Sequence, residues 1–121
     1  MIQDNATGGI WPLYTAMFSD STSLDIDSIS IGTGGSAFWF YEASRGSVRR
    51  SGYLNTTWNS DGTNAELVTL STDESPEHGV GDSSDLTIEA VVESENVILR
   101  ATSVNDWTIK YKRLQILGWM L

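Results

Sequence analysis

The chain has 121 residues, 40% of them apolar, and a formal net charge of -9 from 16 acidic and 7 basic side chains. That is the size of one domain with enough apolar material for a core, and its acidic balance excludes wholesale binding to nucleic acid or to an anionic membrane surface. The absence of cysteine excludes disulfides, thiolate catalysis and cysteine-ligated metals.

Residues 1–9 are polar, end in Gly8-Gly9 and read as a flexible N-terminal arm. The first residues lack a positive stretch followed by an apolar one, so they do not read as a Sec-type signal. Residues 10–121 read as a single domain. The apolar segment 10–18 contains Pro12, which weighs against a central strand. An edge strand or covering segment fits it, and a short helix placing Tyr14, Met17 and Phe18 on one face is the alternative. Residues 24–31 alternate, but Leu24 and Ile26 have one parity and Ile29 and Ile31 the other. A bulge near Asp27 and Ser28 reconciles them.

A glycine-rich turn at 32–35 leads into 37–42, the most aromatic segment. Phe38 and Phe40 share one side of it and Trp39 and Tyr41 the other. Either both sides are buried, or one is displayed, which makes Trp39 and Tyr41 candidate contact residues. Residues 43–46 read as a hairpin turn with Gly46 at positive φ. The returning strand runs to Trp58, with Val48, Arg50, Gly52, Leu54, Thr56 and Trp58 on one face and Arg49, Ser51, Tyr53, Asn55 and Thr57 on the other. A turn at 59–63 and a strand at 65–72 follow. Residues 73–85 read as an acidic surface loop. Three short strands, 86–92, 96–101 and 106–113, close the pattern as an antiparallel meander. In the last, Trp107, Ile109 and Tyr111 face the core and Lys110 and Lys112 face water. The tail from Ile116 to Leu121 is too apolar to stand in water, so it packs on the domain or on a neighbouring chain. The reading is an all-β, antiparallel β-sandwich.

No catalytic constellation emerges. Between Asp61 and Glu95 there are ten acidic residues and no basic one. Oxygen-rich loops hold calcium, which makes Asp82 and Asp85 the place to look, yet no EF-hand or Gly-Gly-x-Gly-x-Asp spacing occurs. No cofactor and no metal is therefore expected. Nothing selects a glycosidase pair from these carboxylates. The lone histidine, His78, has no nucleophile elbow to serve and reads as an exposed loop residue. The binding or interface candidates are Trp39, Tyr41, Arg49, Tyr53 and Trp119. Arg49 clusters with Arg45 and Arg50, and tryptophan and tyrosine suit surfaces that pair apolar contact with a hydrogen bond.

Four stretches carry a resemblance: residues 50–58, 79–92, 96–102 and 105–113. In each of the later ones a Val- and Leu-rich strand ends in a polar turn, and the next begins near a Trp or Asn and turns Lys or Arg outward. This layout, over residues 45–116, resembles the β-sandwich domains of bacteriophage fibre, spike and head-decoration proteins. The resemblance implies a jelly-roll-like sandwich and a homotrimer on a virion appendage. Its partners are other copies of itself, other virion proteins and a host surface receptor, which includes glycans. It transfers no catalytic residue. The leading expectation is thus a non-enzymatic virion structural or receptor-binding module, located on the virion or otherwise extracellular. The alternative is a carbohydrate-binding module of a polysaccharide-active protein, and a small hydrolase using the loop carboxylates ranks third.

Overall fold

The computed structural model describes residues 12–18, 22–59, 69–74 and 78–117. Among them lie nine strands and no helix: β1 (Tyr14–Met17), β2 (Ser23–Ser30), β3 (Gly34–Arg45), β4 (Val48–Asn59), β5 (Thr69–Glu74), β6 (His78–Val80), β7 (Thr87–Glu93), β8 (Asn96–Thr102) and β9 (Thr108–Leu117). All pairings are antiparallel. The larger sheet has the order β1-β9-β3-β4-β5, with β6 beside β5 along the same edge of β4, and the smaller has the order β2-β8-β7. The expected all-β antiparallel sandwich is what the chain forms. The N-terminal arm, the strand start at residues 65–68, Trp11 and Trp119 fall outside the described residues.

Alternation dictates the layers. On β3, Ala37, Trp39, Tyr41 and Ala43 are buried, and on β4 the even residues from Arg50 to Trp58 are buried. Ile109 and Tyr111 face the same way from β9. The smaller sheet answers with Ile26, Ile29, Ile88, Val97, Leu99 and Ala101, and these side chains form one continuous cluster with those of the larger sheet. Gly52 sits opposite Tyr41, whose ring covers the space a side chain would fill: a Cβ there would lie 3.0–3.1 Å from it.

Each buried indole finds an acceptor, as apolar interiors require of polar groups. Trp58 donates to the Ile31 carbonyl at 2.9 Å, Trp39 to Asp27 at 2.8 Å and Trp107 to Asp85 at 3.0 Å. The bulge in β2 lies between Asp25 and Asp27, one residue before the expected place. It turns Asp27 toward the larger sheet, where Arg113 donates to both its oxygens at 2.9 Å.

The first segment forms a short edge strand from Tyr14, as expected, and not the alternative helix. Two expectations change. The span read as one acidic loop contains the end of β5 and all of β6. The closing meander is half a meander: β7 and β8 pair, but β9 leaves them for the larger sheet, between β1 and β3. The physical reason is that the free edge of β8 is already filled by β2. The last strand, with inward Ile109 and Tyr111, therefore completes the opposite sheet.

The hairpins close tightly. Arg45 pairs with Val48, leaving the two-residue loop Gly46-Ser47 with Gly46 at the anticipated positive φ of 61°. Between β7 and β8 the two-residue loop is Ser94-Glu95, both at positive φ, 50° and 64°. That turn type favours Asn-Gly, since a left-handed conformation costs a side-chain-bearing residue about 1–2 kcal/mol. Replacing Ser94 by Asn and Glu95 by Gly together is expected to raise stability by about 1 kcal/mol, part of the gain being offset by the extra freedom of glycine in the unfolded chain. Urea unfolding with an unchanged slope measures it.

Candidate functional surface

The outward face of the larger sheet holds the side chains that the core leaves over. Cross-strand register arranges them in rows. Ile116 lies opposite Ser36, Leu114 opposite Phe38, Lys112 opposite Phe40 and Lys110 opposite Glu42. From β4, Asn55 stands beside Phe38, Tyr53 beside Phe40, Ser51 beside Glu42 and Arg49 beside Ser44. Phe40 is 49% exposed, Leu114 45% and Ile116 64%. The rings of Phe38 and Tyr53 meet at 5.2 Å, tilted by 33°. One end of this face is apolar and the other is charged. At the charged end Arg49 donates to Glu42 at 3.3 Å, both well exposed.

Two shallow grooves flank Glu42. One, of about 200 Å³, is lined by Leu13, Phe40, Glu42, Lys110, Tyr111 and Lys112. The other, of about 290 Å³, is lined by Glu42, Arg49, Arg50, Ser51, Gly79 and Val80.

The candidates from sequence divide sharply. Trp39 and Tyr41 are fully buried, so as surface contacts of this chain they are corrected: they are core residues, and it is the phenylalanine side of β3 that is displayed. The signal lay in Glu42, which shares the parity of Phe38 and Phe40, while 37, 39, 41 and 43 form an unbroken apolar series. Tyr53 and Arg49 do lie on the outer face. Trp119 is outside the described residues. Phe40, Lys110 and Lys112 form the part of the surface that sequence reasoning did not single out.

Arg50, placed by parity on the core face, is buried there. Its Nη1 donates to the Leu86 carbonyl at 2.7 Å and to that of Ser83 at 3.0 Å, and its Nε donates to the Tyr41 hydroxyl at 3.2 Å. These bonds pin the segment before β7 to the larger sheet. His78 enters that sheet opposite Ser51.

Asp82 and Asp85, the place in the acidic stretch to look for calcium, stand in separate settings. Asp82 accepts from the Ser84 amide and hydroxyl, at 3.0 and 2.7 Å, which lowers its pKa. Asp85 accepts through one oxygen from the Ser103 hydroxyl at 2.6 Å, the Asn105 amide at 3.0 Å and the Trp107 indole at 3.0 Å. Arg45 approaches its other oxygen at 3.6 Å while its guanidinium lies 5.1 Å from the Trp107 ring centre. Among the described residues no three His, Cys, Asp or Glu side chains are grouped to hold a metal ion. Tyr111, whose hydroxyl donates to the Ile26 carbonyl at 3.1 Å, has its pKa pushed up to about 12, first by burial and then by the nearby Asp27 charge.

No known protein-family model matches the sequence, and no curated protein matches it. Among solved structures the fold is similar to the tailspike protein of Acinetobacter baumannii phage AM24, with a TM-score of 0.48 and 6% identity over 93% of this chain and 28% of that one. It is also similar to the tailspike protein of Acinetobacter phage vB_ApiP_P1, with a TM-score of 0.46 and 13% identity over 84% of this chain and 21% of that one. The chain thus spans roughly a quarter of the tailspikes it is similar to, and at these scores the likeness assigns no function.

Asp85 yields a pH test. The hydrogen bond from Ser103, then that from Asn105, holds its carboxyl well below the ordinary 3.8. A carboxylate with a depressed folded pKa contributes stability that is complete above the unfolded value and drains away as pH falls toward the folded one. Asp85→Ala, which strands the buried Trp107 N–H, is expected to cost about 2–3 kcal/mol at neutral pH. The gap to the parent chain should narrow steadily below about pH 3.8 as the parent loses its own contribution. Urea midpoints across that range measure both.

Proposed function

We propose that the chain is a non-enzymatic structural or receptor-binding module of a phage appendage that works as a homotrimer, touching other virion proteins and a host surface receptor. The observation that carries this reading is the apolar end of the larger sheet's outer face. Phe38, Leu114 and Ile116 point away from the core, on a sheet whose inner face is already filled. A sheet apolar on both faces is normally covered on both, and contiguous exposed apolar surface marks an interaction site. The strand layout, with its resemblance to phage appendage sandwiches, supplies the setting.

Self-association through Phe38, Leu114 and Ile116 leaves the charged end, with its two grooves, open for a receptor. Phe40 and Tyr53 lie at the junction between the two ends. The second reading, a carbohydrate-binding module, draws on the same grooves: a half-exposed ring beside charged and hydroxyl-bearing side chains is a surface on which sugars stack and hydrogen-bond.

The test is the state of association. Light scattering and sedimentation at micromolar concentration are expected to find a trimer. Leu114→Glu or Ile116→Glu is expected to weaken association by at least about tenfold, or ~1.4 kcal/mol, with an unchanged circular dichroism spectrum. A parent chain that remains strictly monomeric would overturn the assembly reading.

A further inference from the structure

The seven basic side chains of this acidic chain are spent very unevenly. Arg100 donates to Asp25 at 2.7 Å and, with two nitrogens, to Glu93 at 2.7 and 2.8 Å. Arg113 is fastened to Asp27, Arg45 faces Asp85, and Arg50 is buried against main-chain carbonyls. Arg49 pairs with Glu42 on the surface. Lys110 and Lys112 have no carboxylate within ion-pair distance among the described residues. They lie two positions apart on β9, on the same side, and both line the groove that also holds Phe40 and Glu42. With Arg49 nearby, the described side chains at this end of the face comprise three cations and one carboxylate, on a chain whose net charge is -9.

We infer that this groove binds a carboxylate-bearing carbohydrate, with Lys110 and Lys112 pairing with the sugar's carboxylate, the Phe40 ring beneath its apolar face and Glu42 accepting from its hydroxyls. The inference rests on the reading of the chain as a receptor-binding module and names the class of receptor. Three features carry it. The first is charge. At contact range the local cations govern the field, because more distant charges are screened beyond about 10 Å at 0.1 M salt. The second is the set of side chains. A half-exposed phenyl ring, two ammonium groups and a carboxylate line the groove, a combination that suits a hydroxyl-rich ring bearing an anionic group. The third is size and continuity. At about 200 Å³ the groove lies below the roughly 300–1,000 Å³ of sites that engulf a drug-sized ligand, and past Glu42 it meets the second groove, of about 290 Å³, at Arg49 and Ser51. That is the shape of a surface crossed by a polymer, one or two sugar units deep.

The experiment is an array of uronate-bearing polysaccharides, each printed beside its carboxyl-reduced form, with poly-glutamate as the peptide arm, probed with the full chain. Binding to a carboxylated glycan at least tenfold above its reduced form, weakened at least tenfold by joint Lys110→Ala and Lys112→Ala and by Phe40→Ala, supports the inference. The reduced-glycan arm needs no variant, and so holds even if a substitution disturbs folding. Equal binding of native and carboxyl-reduced glycan overturns the inference while leaving a glycan-binding module intact. Binding to poly-glutamate alone overturns the carbohydrate occupant. A folded chain that binds no glycan overturns both the inference and the receptor reading for glycans.

Discussion

The carboxylate of Asp85 sits where the chain is divided between its two sheets. One of its oxygens gathers three donors, Ser103, Asn105 and Trp107, from the connection that carries the chain out of β8 and into β9. The Ser103 hydroxyl in turn accepts from the backbone N–H of Asn105 at 3.1 Å, so the connection is folded around the carboxylate. On the other side of the same segment Arg50 holds the carbonyls of Ser83 and Leu86. The stretch before β7 is therefore gripped from the larger sheet by a buried guanidinium, while it grips the departing strand with a carboxylate. Hydrogen bonds to charged groups contribute more than neutral ones, about 1.5–3 kcal/mol each. Their concentration here fixes the spot at which the two sheets are joined.

The two outer faces of the sandwich have opposite characters, and this follows from how charge is distributed among strands. On the smaller sheet Arg100 lies between Asp25 and Glu93 and satisfies both, making a closed, hydrated face of the kind antiparallel sheets commonly turn to water. On the larger sheet the corresponding positions are filled by phenylalanine, leucine, isoleucine and two unpaired lysines. That asymmetry is why the proposed contacts fall on the larger sheet, whose outer face is split into an apolar and a charged end.

Much of the fold was legible from residue parity. The even face of β4, the inward Ile109 and Tyr111, the outward lysines and the positive φ of Gly46 all follow from alternation and turn chemistry, which are local. What alternation leaves open is which of two apolar sides faces the core, as with Trp39 and Phe40, and which strand lies beside which. The departure of β9 from its sequence neighbours depends on β2 having taken the edge of β8, a contact between residues some seventy positions apart. The short strand β6 was illegible for another reason: a three-residue segment in an acidic, glycine-containing stretch has no period to detect. Of the surface, Arg49 and Tyr53 were visible as candidates. Lys110 and Lys112 read as ordinary solvent-facing charges until the partners of every other cation were known.

The position of β9 also sets an order of events during synthesis. β1 has β9 as its neighbour in the larger sheet, and β3 has β9 on one side and β4 on the other. The hairpin of β3 and β4 and the pair β7 and β8 can form from contacts close in sequence, as soon as those residues have left the ribosome. The larger sheet cannot be completed so early, because β9, which lies between β1 and β3, is the last of its described strands in sequence. Until residues 108–117 emerge, β1 has no strand to join and β3 offers an open edge next to a row of exposed aromatic side chains. Closing that gap links residues 14–17 to residues 108–111, a long-range step of the sort that slows β-rich folding. For a protein whose copies are made side by side, the interval before that strand arrives is when one chain's β3 edge is most open to another's β9.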